Sequence, residues 1–250
     1  MHSAIRLLLG VSTLCILLSS VLGSAQNLDE YIETAEGENL LLSGENLQFA
    51  IDSCSKGGTV KIVGSIEIST DIVLKSDITI RGGELIRAPE TYVGGMVLLN
   101  NVHNVRITGI IFDGNMENNV DTPYSKPKGS GGQNCIKIGW QGECSNIRID
   151  NCTFQSGIAS HIFAFQTSHH VTVEDCTFYG RRHEGWGAAV WFRSHHGVIR
   201  NNHIQDTYAC GIVMEGTEDN PADNNTVDGN YITGEIAHGI HSEGLSLIHI

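Results

Sequence analysis

A repeat of about 25 residues constrains this chain more than any other feature of its sequence. Six blocks of ten residues align without a gap, at 76–85, 103–112, 145–154, 169–178, 195–204 and 223–232. Within each block the apolar positions are spaced two, three and two residues apart, which predicts a short strand, a one-residue turn and a second short strand. The blocks recur at steps of 24 to 28 residues, apart from one step of 42. This period predicts a solenoid, in which each coil packs against the next.

Two columns of the alignment remain apolar from block to block. They read Ile80, Ile107, Ile149, Val173, Ile199, Val227 and Leu85, Phe112, Phe154, Phe178, Ile204, Ile232. A further strand signature lies upstream of most blocks, at 96–98, 136–138, 163–165, 189–191 and 212–214. Three strands per coil, with coils stacked about 4.8 Å apart, predict parallel sheets around one apolar core. A helical repeat is the alternative, but no block shows a helical period.

The bend between the two strands of a block forms a third column, which reads Gly83, Ile110, Cys152, Cys176, Asn202, Asn230. An asparagine at this position can hydrogen-bond the backbone of the neighbouring turn, and cysteine is a small apolar replacement. Cys152 and Cys176 are expected on adjacent coils, within bridging distance. Both an unbonded internal stack and a disulfide are compatible with that placement.

The sequence predicts an N-terminal cap for the solenoid. Residues 46–54 form a helical pattern whose apolar face consists of Leu47, Ala50, Ile51 and Cys54. Two glycines at 57–58 end the pattern, and the chain then enters a strand at 59–62. A short helix here would cover the open end of the first coil and prevent edge-to-edge association.

The first 25 residues have the pattern of a secretory signal peptide. Arg6 precedes the apolar run 7–22, and small residues at 23 and 25 mark a cleavage site. A transmembrane anchor is the alternative, but the run is short for a span of about 20 residues and no basic segment follows it. We therefore expect a secreted, extracellular protein whose six remaining cysteines are in an oxidising compartment.

The predicted organisation has four parts: a signal peptide at 1–25, an N-terminal segment with the capping helix at 26–58, β-helix coils at 59–244 and a tail at 245–250. The tail abandons the repeat pattern and fits no strand of a coil. We expect it to be an artefact at the end of a truncated reading frame, with further coils missing.

Three stretches resemble the pectin-lyase-like right-handed β-helix superfamily: the helix-then-strand opening at 46–62, ITGIIFDGN at 107–115, and the NCTF and DCTF blocks at 151–154 and 175–178. The opening is most similar to the pectate-lyase-type N-terminal segments of secreted polysaccharide-degrading and tailspike proteins. The resemblance covers nearly the whole mature chain and implies an all-β fold, a right-handed parallel β-helix (solenoid) with a short N-terminal capping helix. Because members include lyases, hydrolases, epimerases and non-catalytic proteins, the activity stays open. No catalytic signature is matched residue by residue.

The net charge of −13 comes from 28 acidic and 15 basic side chains. It opposes non-specific binding to nucleic acid or an anionic membrane, so neither is expected as a partner. An anionic polysaccharide would need a local basic patch or a bridging cation. No cofactor is predicted, since no ligand motif supports calcium. The sequence leaves the oligomeric state open.

Candidate functional residues are the outward side chains of the sheet that the upstream strands form. We take Phe163, Phe165, Ala189 and Trp191 as inward. The outward neighbours are then Lys137, Ala164, Val190, Val213 and His241, followed one step further by Gly139, Gln166, Phe192, Glu215 and Glu243. The predicted substrate-binding residues on this face are Lys137, Gln166, Phe192 and His241. A solvated face without a ligand is the alternative.

The loop at 181–186 gathers two cations, an imidazole, a carboxylate and an aromatic ring: Arg181, Arg182, His183, Glu184 and Trp186. His161 and Tyr208 are expected to flank this loop on neighbouring coils. Together with the loop residues Arg181 and Trp186, His161 is predicted to bind substrate.

Two chemistries fit this loop and the adjacent face. Removal of the C5 proton of a uronate needs a cation and an acid or base, for which Arg182, His183 and Tyr208 are candidates. Hydrolysis needs two carboxylates about 5–10 Å apart, for which Glu184 and Glu215 are candidates.

Two histidine pairs, 169–170 and 195–196, occupy equivalent turn positions one coil apart. A metal cluster is one interpretation, but no carboxylate has ligand spacing. Stacked, solvent-exposed histidines are the other, and the sequence predicts no metal site.

Two functions follow from these observations. The first is a secreted carbohydrate-active protein: a lyase, epimerase or glycoside hydrolase acting on a polysaccharide, with a uronate polymer as one candidate. The second is a non-catalytic extracellular β-helix that binds a partner or serves as a stiff rod. The missing catalytic signature and the acidic balance favour the second.

Overall fold

The computed structural model describes residues 31–33, 38–41, 47–91, 93–119, 133–180, 187–217, 219–220, 222–243 and 248–249. Over these residues the chain forms one α-helix, α1 (Leu47–Ser53), and a series of short strands in three sheets. Each coil contributes one strand to each sheet. A single apolar core fills the space that the three sheets enclose.

Sheet A contains β1 (Tyr31–Glu33), β2 (Glu38–Leu41), β3 (Thr59–Ile62), β6 (Ile78–Arg81), β9 (Val102–Thr108), β12 (Cys144–Asp150), β15 (Ser168–Glu174), β18 (Val198–Arg200), β21 (Asn225–Asp228) and β24 (Ile248–His249). Sheet B contains β4 (Ser65–Ile68), β7 (Glu84–Arg87), β10 (Ile111–Asp113), β13 (Thr153–Gln155), β16 (Thr177–Tyr179), β19 (His203–Gln205) and β22 (Tyr231–Thr233). Sheet C contains β5 (Ile72–Val73), β8 (Gly95–Leu99), β11 (Asn134–Ile138), β14 (Ile162–Ala164), β17 (Ala188–Phe192), β20 (Tyr208–Glu215) and β23 (Ile236–Glu243). The β1–β2 pair is antiparallel, and the coils pair in parallel.

The stacking predicted from the repeat is confirmed. The Ile80 column runs in register through sheet A, and the Leu85 column does so through sheet B. The ring centroid of Phe154 lies 4.9 Å from that of Phe112 and 4.7 Å from that of Phe178, with nearly parallel ring planes. Like side chains therefore lie above one another, and each coil packs against the same kind of side chain in the next coil.

The bends between strands repeat as well. One column of turn residues has φ near +54°, in the left-handed region, and consists of Asn104, Asn146, His170, His196 and Asn224. Asparagine tolerates this conformation because its side chain can hydrogen-bond locally. In the second bend, Asn202 Oδ1 accepts a hydrogen bond from the Cys176 backbone N–H at 3.0 Å, and Asn230 Oδ1 accepts one from the Asn202 N–H at 3.0 Å. The predicted asparagine stack is confirmed.

Cys152 and Cys176 lie on adjacent coils as an unbonded stack, and the disulfide alternative is not adopted. The six cysteines of the described residues are free and buried. Each thiol of the stack points at a backbone carbonyl of a neighbouring coil: Cys152 at that of Ile107, and Cys176 at that of Ile149.

The N-terminal helix also lies where the sequence predicts it. Its apolar face, together with Cys54, is buried in the main core. Gln48 fixes the helix against sheet C, because its side chain exchanges two hydrogen bonds with the Val73 backbone at 3.0 and 2.8 Å. The helix thus closes one end of the apolar core.

Two residues of the predicted tail, 248–249, form β24, which pairs in parallel with Asn225 and Thr226 of β21. The interpretation of 245–250 as a tail outside the repeat stays a prediction. Among the described residues, no helix is long and apolar enough to span a bilayer.

Candidate functional site

On sheet C, the side chains of β14 and β17 that face outward are shifted by one residue along the strand relative to the prediction. Ala164, Val190 and Phe192 point into the main core, where their side chains are fully buried. The prediction that they point outward, and that Phe192 binds substrate, is therefore wrong. Phe163 and Trp191, predicted to point inward, lie on the outer face in a second apolar cluster.

The cause is a break in strand alternation. Ala189 and Val190 both lie in the main core, as do Cys135 and Ile136 on β11. Two consecutive inward residues behave like a bulge, so the side chains that follow have the opposite facing. The outward column reads Lys137, Phe163, Trp191, Val213, His241. The outward positions predicted for Lys137, Val213 and His241 are confirmed.

A continuous series of rings crosses this face, and we call Trp140, Phe165, Phe163 and Trp191 the aromatic strip. The ring centroids of Trp140 and Phe165 are 4.8 Å apart, those of Phe165 and Phe163 are 4.2 Å apart, and those of Phe163 and Trp191 are 5.2 Å apart. Trp140 is 49% exposed, whereas Phe163 is fully buried. The strip therefore has one accessible ring, Trp140, at one end, while Phe165, Phe163 and Trp191 are covered by protein.

Two cations lie against the strip. Lys137 Nζ is 3.9 Å from the ring centroid of Trp140, and Arg193 Cζ is 5.6 Å from that of Phe163. Contacts of this length are favourable cation–π interactions. Burial lowers the pKa of the Lys137 ammonium, although the charge of Asp71 opposes the shift. The strip is thus flanked by a permanent cation, Arg193, and by Lys137, whose charged form is less favoured than that of an exposed lysine.

Glu215 supplies the carboxylate of the face. Arg193 donates to Oε1 at 2.9 Å and to Oε2 at 2.9 and 3.1 Å, and Trp191 Nε1 donates to Oε2 at 2.7 Å. The side chains of Arg193 and Glu215 remain 29% and 25% exposed. This ion pair is fixed by a buried ring and open to a ligand on its outer side.

The other predicted site residues lie in three different places. His161 is fully buried, with its ring between those of Phe154 and Phe178 at 5.9 Å from each, so it does not reach the outer face. His161 was predicted to bind substrate beside the loop 181–186, but its side chain, just before β14, is fully buried and not accessible to a ligand. Gln166 is exposed just beyond Phe165. His241 Nε2 lies 3.7 Å from Glu243 Oε2 on β23.

The remaining candidates lie outside what the structure describes. Arg181, Arg182, His183, Glu184 and Trp186 belong to residues 181–186, which are not among the described residues. Tyr208 begins β20, but its side chain is also outside them. The pairings of Arg182, His183 and Tyr208, and of Glu184 with Glu215, therefore stay predictions.

Two residues of this face, Arg193 and Trp140, were missed by sequence reasoning. Arg193 follows β17 directly, where the correct facing would have placed it beside Glu215. Trp140 lies two residues beyond β11, outside the repeat blocks. An exposed tryptophan beside a strand end was a usable signal.

The histidine pairs stack as predicted. The rings of His169 and His195 are 5.5 Å apart, and those of His170 and His196 are 5.2 Å apart. Burial and the neighbouring imidazoles lower the pKa values of His170 and His195. Within the part of the chain that is described, no three His, Cys, Asp or Glu side chains are arranged to hold a metal ion.

Comparisons with known proteins concern the architecture. A family model described as "Right handed beta helix region" matches residues 94–246. No curated protein gives a significant match to the sequence. A solved structure of a hyperthermoactive exopolygalacturonase from Thermotoga maritima is similar with a TM-score of 0.61 and 13% identity, over 79% of this chain and 58% of that chain. A tailspike protein of E. coli bacteriophage HK620, in complex with a pentasaccharide, is similar with a TM-score of 0.49 and 17% identity, over 74% of this chain and 40% of that chain.

Proposed function

We propose that this chain, which belongs to the right-handed β-helix family, is a secreted protein that binds an acidic polysaccharide on the outer face of sheet C and acts on it there. The resemblance to the pectin-lyase-like superfamily is confirmed for the fold. The chain spans 58% of the length of the exopolygalacturonase, whose ligand class we carry over only as support for this proposal. The leader predicted at 1–25 supports an extracellular site of action.

The observation that carries the proposal is the aromatic strip with its fixed charges. Ligand sites combine apolar and aromatic walls with a few placed polar groups. The outward column of the strip crosses β11, β14, β17, β20 and β23, a distance of roughly 19 Å at 4.8 Å per strand. An extended chain of sugars over this face would contact the accessible groups at its surface, which are Trp140, the outer edges of Arg193 and Glu215, and His241.

The charges on the strip favour a uronate ligand. Arg193 presents a guanidinium that Glu215 and Trp191 hold in place, and a sugar carboxylate can accept from its outer edge. Burial lowers the pKa of Lys137, so this lysine loses its proton more readily than an exposed lysine does. An amine that deprotonates more readily than an exposed lysine, on the same face as a carboxylate-binding arginine, suits removal of the C5 proton, and hence elimination or epimerisation.

A second candidate function is binding without turnover, and the hydrogen bonds of Glu215 favour it. A hydrolase needs one carboxyl group to protonate the leaving oxygen. Glu215 accepts four hydrogen bonds from Arg193 and Trp191, which occupy its acceptor positions. This arrangement fits a binding surface better than a general acid.

Incubation of the chain with polygalacturonate and with a neutral glucan tests the proposal. An unsaturated product detected by ultraviolet absorbance indicates elimination, and new reducing ends without unsaturation indicate hydrolysis. We expect Lys137→Met to remove turnover while polygalacturonate binding remains within about tenfold, because Arg193 still holds the carboxylate. Binding without turnover by the unmodified chain would select the second function, and neither binding nor turnover would reject both.

Trp140→Ala measures the contribution of the accessible ring. We expect a loss of binding of about tenfold, since one stacked aromatic contact contributes roughly 1–2 kcal/mol. Tyr231→Ala is the matched control, because Tyr231 is an exposed aromatic residue on the outer face of sheet B. An equal loss of affinity in both variants would contradict the assignment of sheet C as the binding face.

A further inference from the structure

We infer that the outer face of sheet A carries a second binding groove, one that takes the carboxylate groups of an acidic oligosaccharide. The ligand class rests on the proposed function, but the groove is separate from the aromatic strip and lies on another sheet. A protein with a net charge of −13 needs a local cationic surface to hold a polyanion. The structure places such a surface at this groove.

The groove has a volume of about 370 Å³, within the roughly 300–1,000 Å³ of small-molecule sites. Its charged and amide-bearing lining residues are Lys56, Asp77, Asn104, Arg106, Asn146 and Arg148. The carboxylate of Asp77 is already occupied, since Asn104 Nδ2 donates to it at 2.8 Å and Lys56 Nζ lies 3.3 Å away. Lys56 and Asp77 thus form an ion pair, and Arg106 and Arg148 are the two further cations that line the groove.

Buried carboxylates hold the two arginines in place. Arg106 donates to Asp150 from Nε at 2.9 Å and from Nη2 at 2.7 Å, and Arg148 Nη2 lies 2.6 Å from Glu174. The side chains of Asp150 and Glu174 are 1% and 3% exposed, whereas those of the two arginines are 48% and 52% exposed. Each guanidinium is thus anchored on one side and open on the other, so a ligand need not order it.

The spacing of the arginines fits one carboxylate. Arg106 and Arg148 are register partners on β9 and β12, adjacent strands whose backbones lie about 4.8 Å apart. A carboxylate between them can accept a charge-assisted hydrogen bond from the free edge of each guanidinium group. Asn104 and Asn146 line the same groove and have amide groups suited to sugar hydroxyls.

Titration calorimetry with oligogalacturonate tests the groove. A Trp140→Ala background weakens the strip by about tenfold, so the groove contributes a larger share of the binding that is measured. In that background we expect Arg148→Gln to lower affinity at least about tenfold, the loss of one charge-assisted contact. The stability risk is small, because Arg200 still holds Glu174 at 2.6 Å. Lys56→Gln is a second variant; its side chain is 83% exposed, so the fold does not depend on it.

Arg200→Gln is the matched control, since it removes the same charge from the same ion-pair series and leaves Glu174 paired with Arg148. Arg200 is not among the residues that line the groove, although its guanidinium binds the same Glu174 carboxylate as Arg148. It can therefore act on the ligand only through its charge, and affinity should fall by no more than about threefold. Methyl-esterified oligogalacturonate, which lacks the charge, should not bind the groove. Equal losses in Arg148→Gln and Arg200→Gln, or unchanged affinity in Arg148→Gln, would overturn the inference. Groove binding in a chain that leaves every glycan unprocessed would support the groove and reject only the enzymatic function.

Discussion

The outer faces of sheets A and C belong to the same coils but differ in chemical character, since one is charged and the other is apolar. Sheet C carries rings that exclude water, with Phe163 fully buried beside Lys137 and Trp191. Sheet A carries half-exposed arginines bound to buried carboxylates. The stacked interior determines the coil, and it leaves the outward positions free to differ. The residues that determine function in this solenoid are therefore expected among the outward side chains. A comparison of the two faces shows which outward side chains also stabilise the fold.

The largest expected effect is on the dry face. Trp191→Ala removes a buried ring between Phe163 and the Glu215 carboxylate, and we expect the free energy of unfolding to fall by about 3–5 kcal/mol. Tyr231→Ala, on the exposed face of sheet B, should change it by no more than about 0.5 kcal/mol. Urea denaturation of both variants measures the difference. Similar small losses would show that the outer cluster of sheet C contributes little to the fold.

The charged face should depend on its buried carboxylates. Glu174→Gln removes the charge that Arg148 and Arg200 both approach at 2.6 Å. We expect a loss of about 1–3 kcal/mol, limited because both arginines are half-exposed and can be hydrated. Glu67→Gln, an exposed position on β4, is the control and should be nearly neutral. If the two variants unfold at the same urea concentration, the ion pairs of sheet A do not stabilise the protein.

Acid titration should separate the two faces further. Although burial alone would raise the pKa of Asp150, the hydrogen bonds and charge of Arg106 hold it below its usual range. A depressed folded pKa means that the stabilisation is present above the unfolded value of about 3.9 and is lost as pH falls through the folded pKa. The stability gap between the unmodified chain and Asp150→Asn should therefore be constant near neutral pH and shrink below about pH 4. A gap that does not change with pH would contradict the assigned ion pair.

The smallest expected effect concerns Lys137 on sheet C. Burial lowers its pKa in the folded state, so the unfolded chain binds its proton more tightly up to the unfolded value of about 10.4. The unmodified chain should gain stability as pH rises through this alkaline window, and Lys137→Met should lack that gain. Lys75→Met, on an exposed lysine that bonds a backbone carbonyl, is the comparison. If the free energy of unfolding changes with alkaline pH in the same way for Lys137→Met and the unmodified chain, the lowered pKa of Lys137 is contradicted.

The interior of this fold could be predicted from the sequence, because stacking forces like residues into register. The Ile80 and Leu85 columns, the asparagine stack at Asn202 and Asn230, and the capping helix all follow from that rule. Each of these features repeats, so one coil predicts the next.

The outward face of sheet C could not be predicted in the same way. Phe163-Ala164-Phe165 has the alternation of a strand with phenylalanines inside, yet Ala164 enters the main core and both phenylalanines join the outer apolar cluster. The paired inward residues Ala189 and Val190 shift the facing by one. Arg193 and Trp140 lie just beyond strands, where no repeat marks them. The basic groove depends on Arg106 and Arg148 meeting across a 42-residue step.

A crystal structure of the chain soaked with oligogalacturonate tests the central claim most directly, because it shows which outer face holds the sugar. The account predicts a sugar ring over Trp140 and a uronate carboxylate on the outer edge of Arg193, next to Glu215. Weaker density in the groove at Arg106 and Arg148 would accompany it if the second site is filled. Sugar bound only to the outer face of sheet B, or to no face at saturating concentration, would contradict the assignment of sheet C as the functional face.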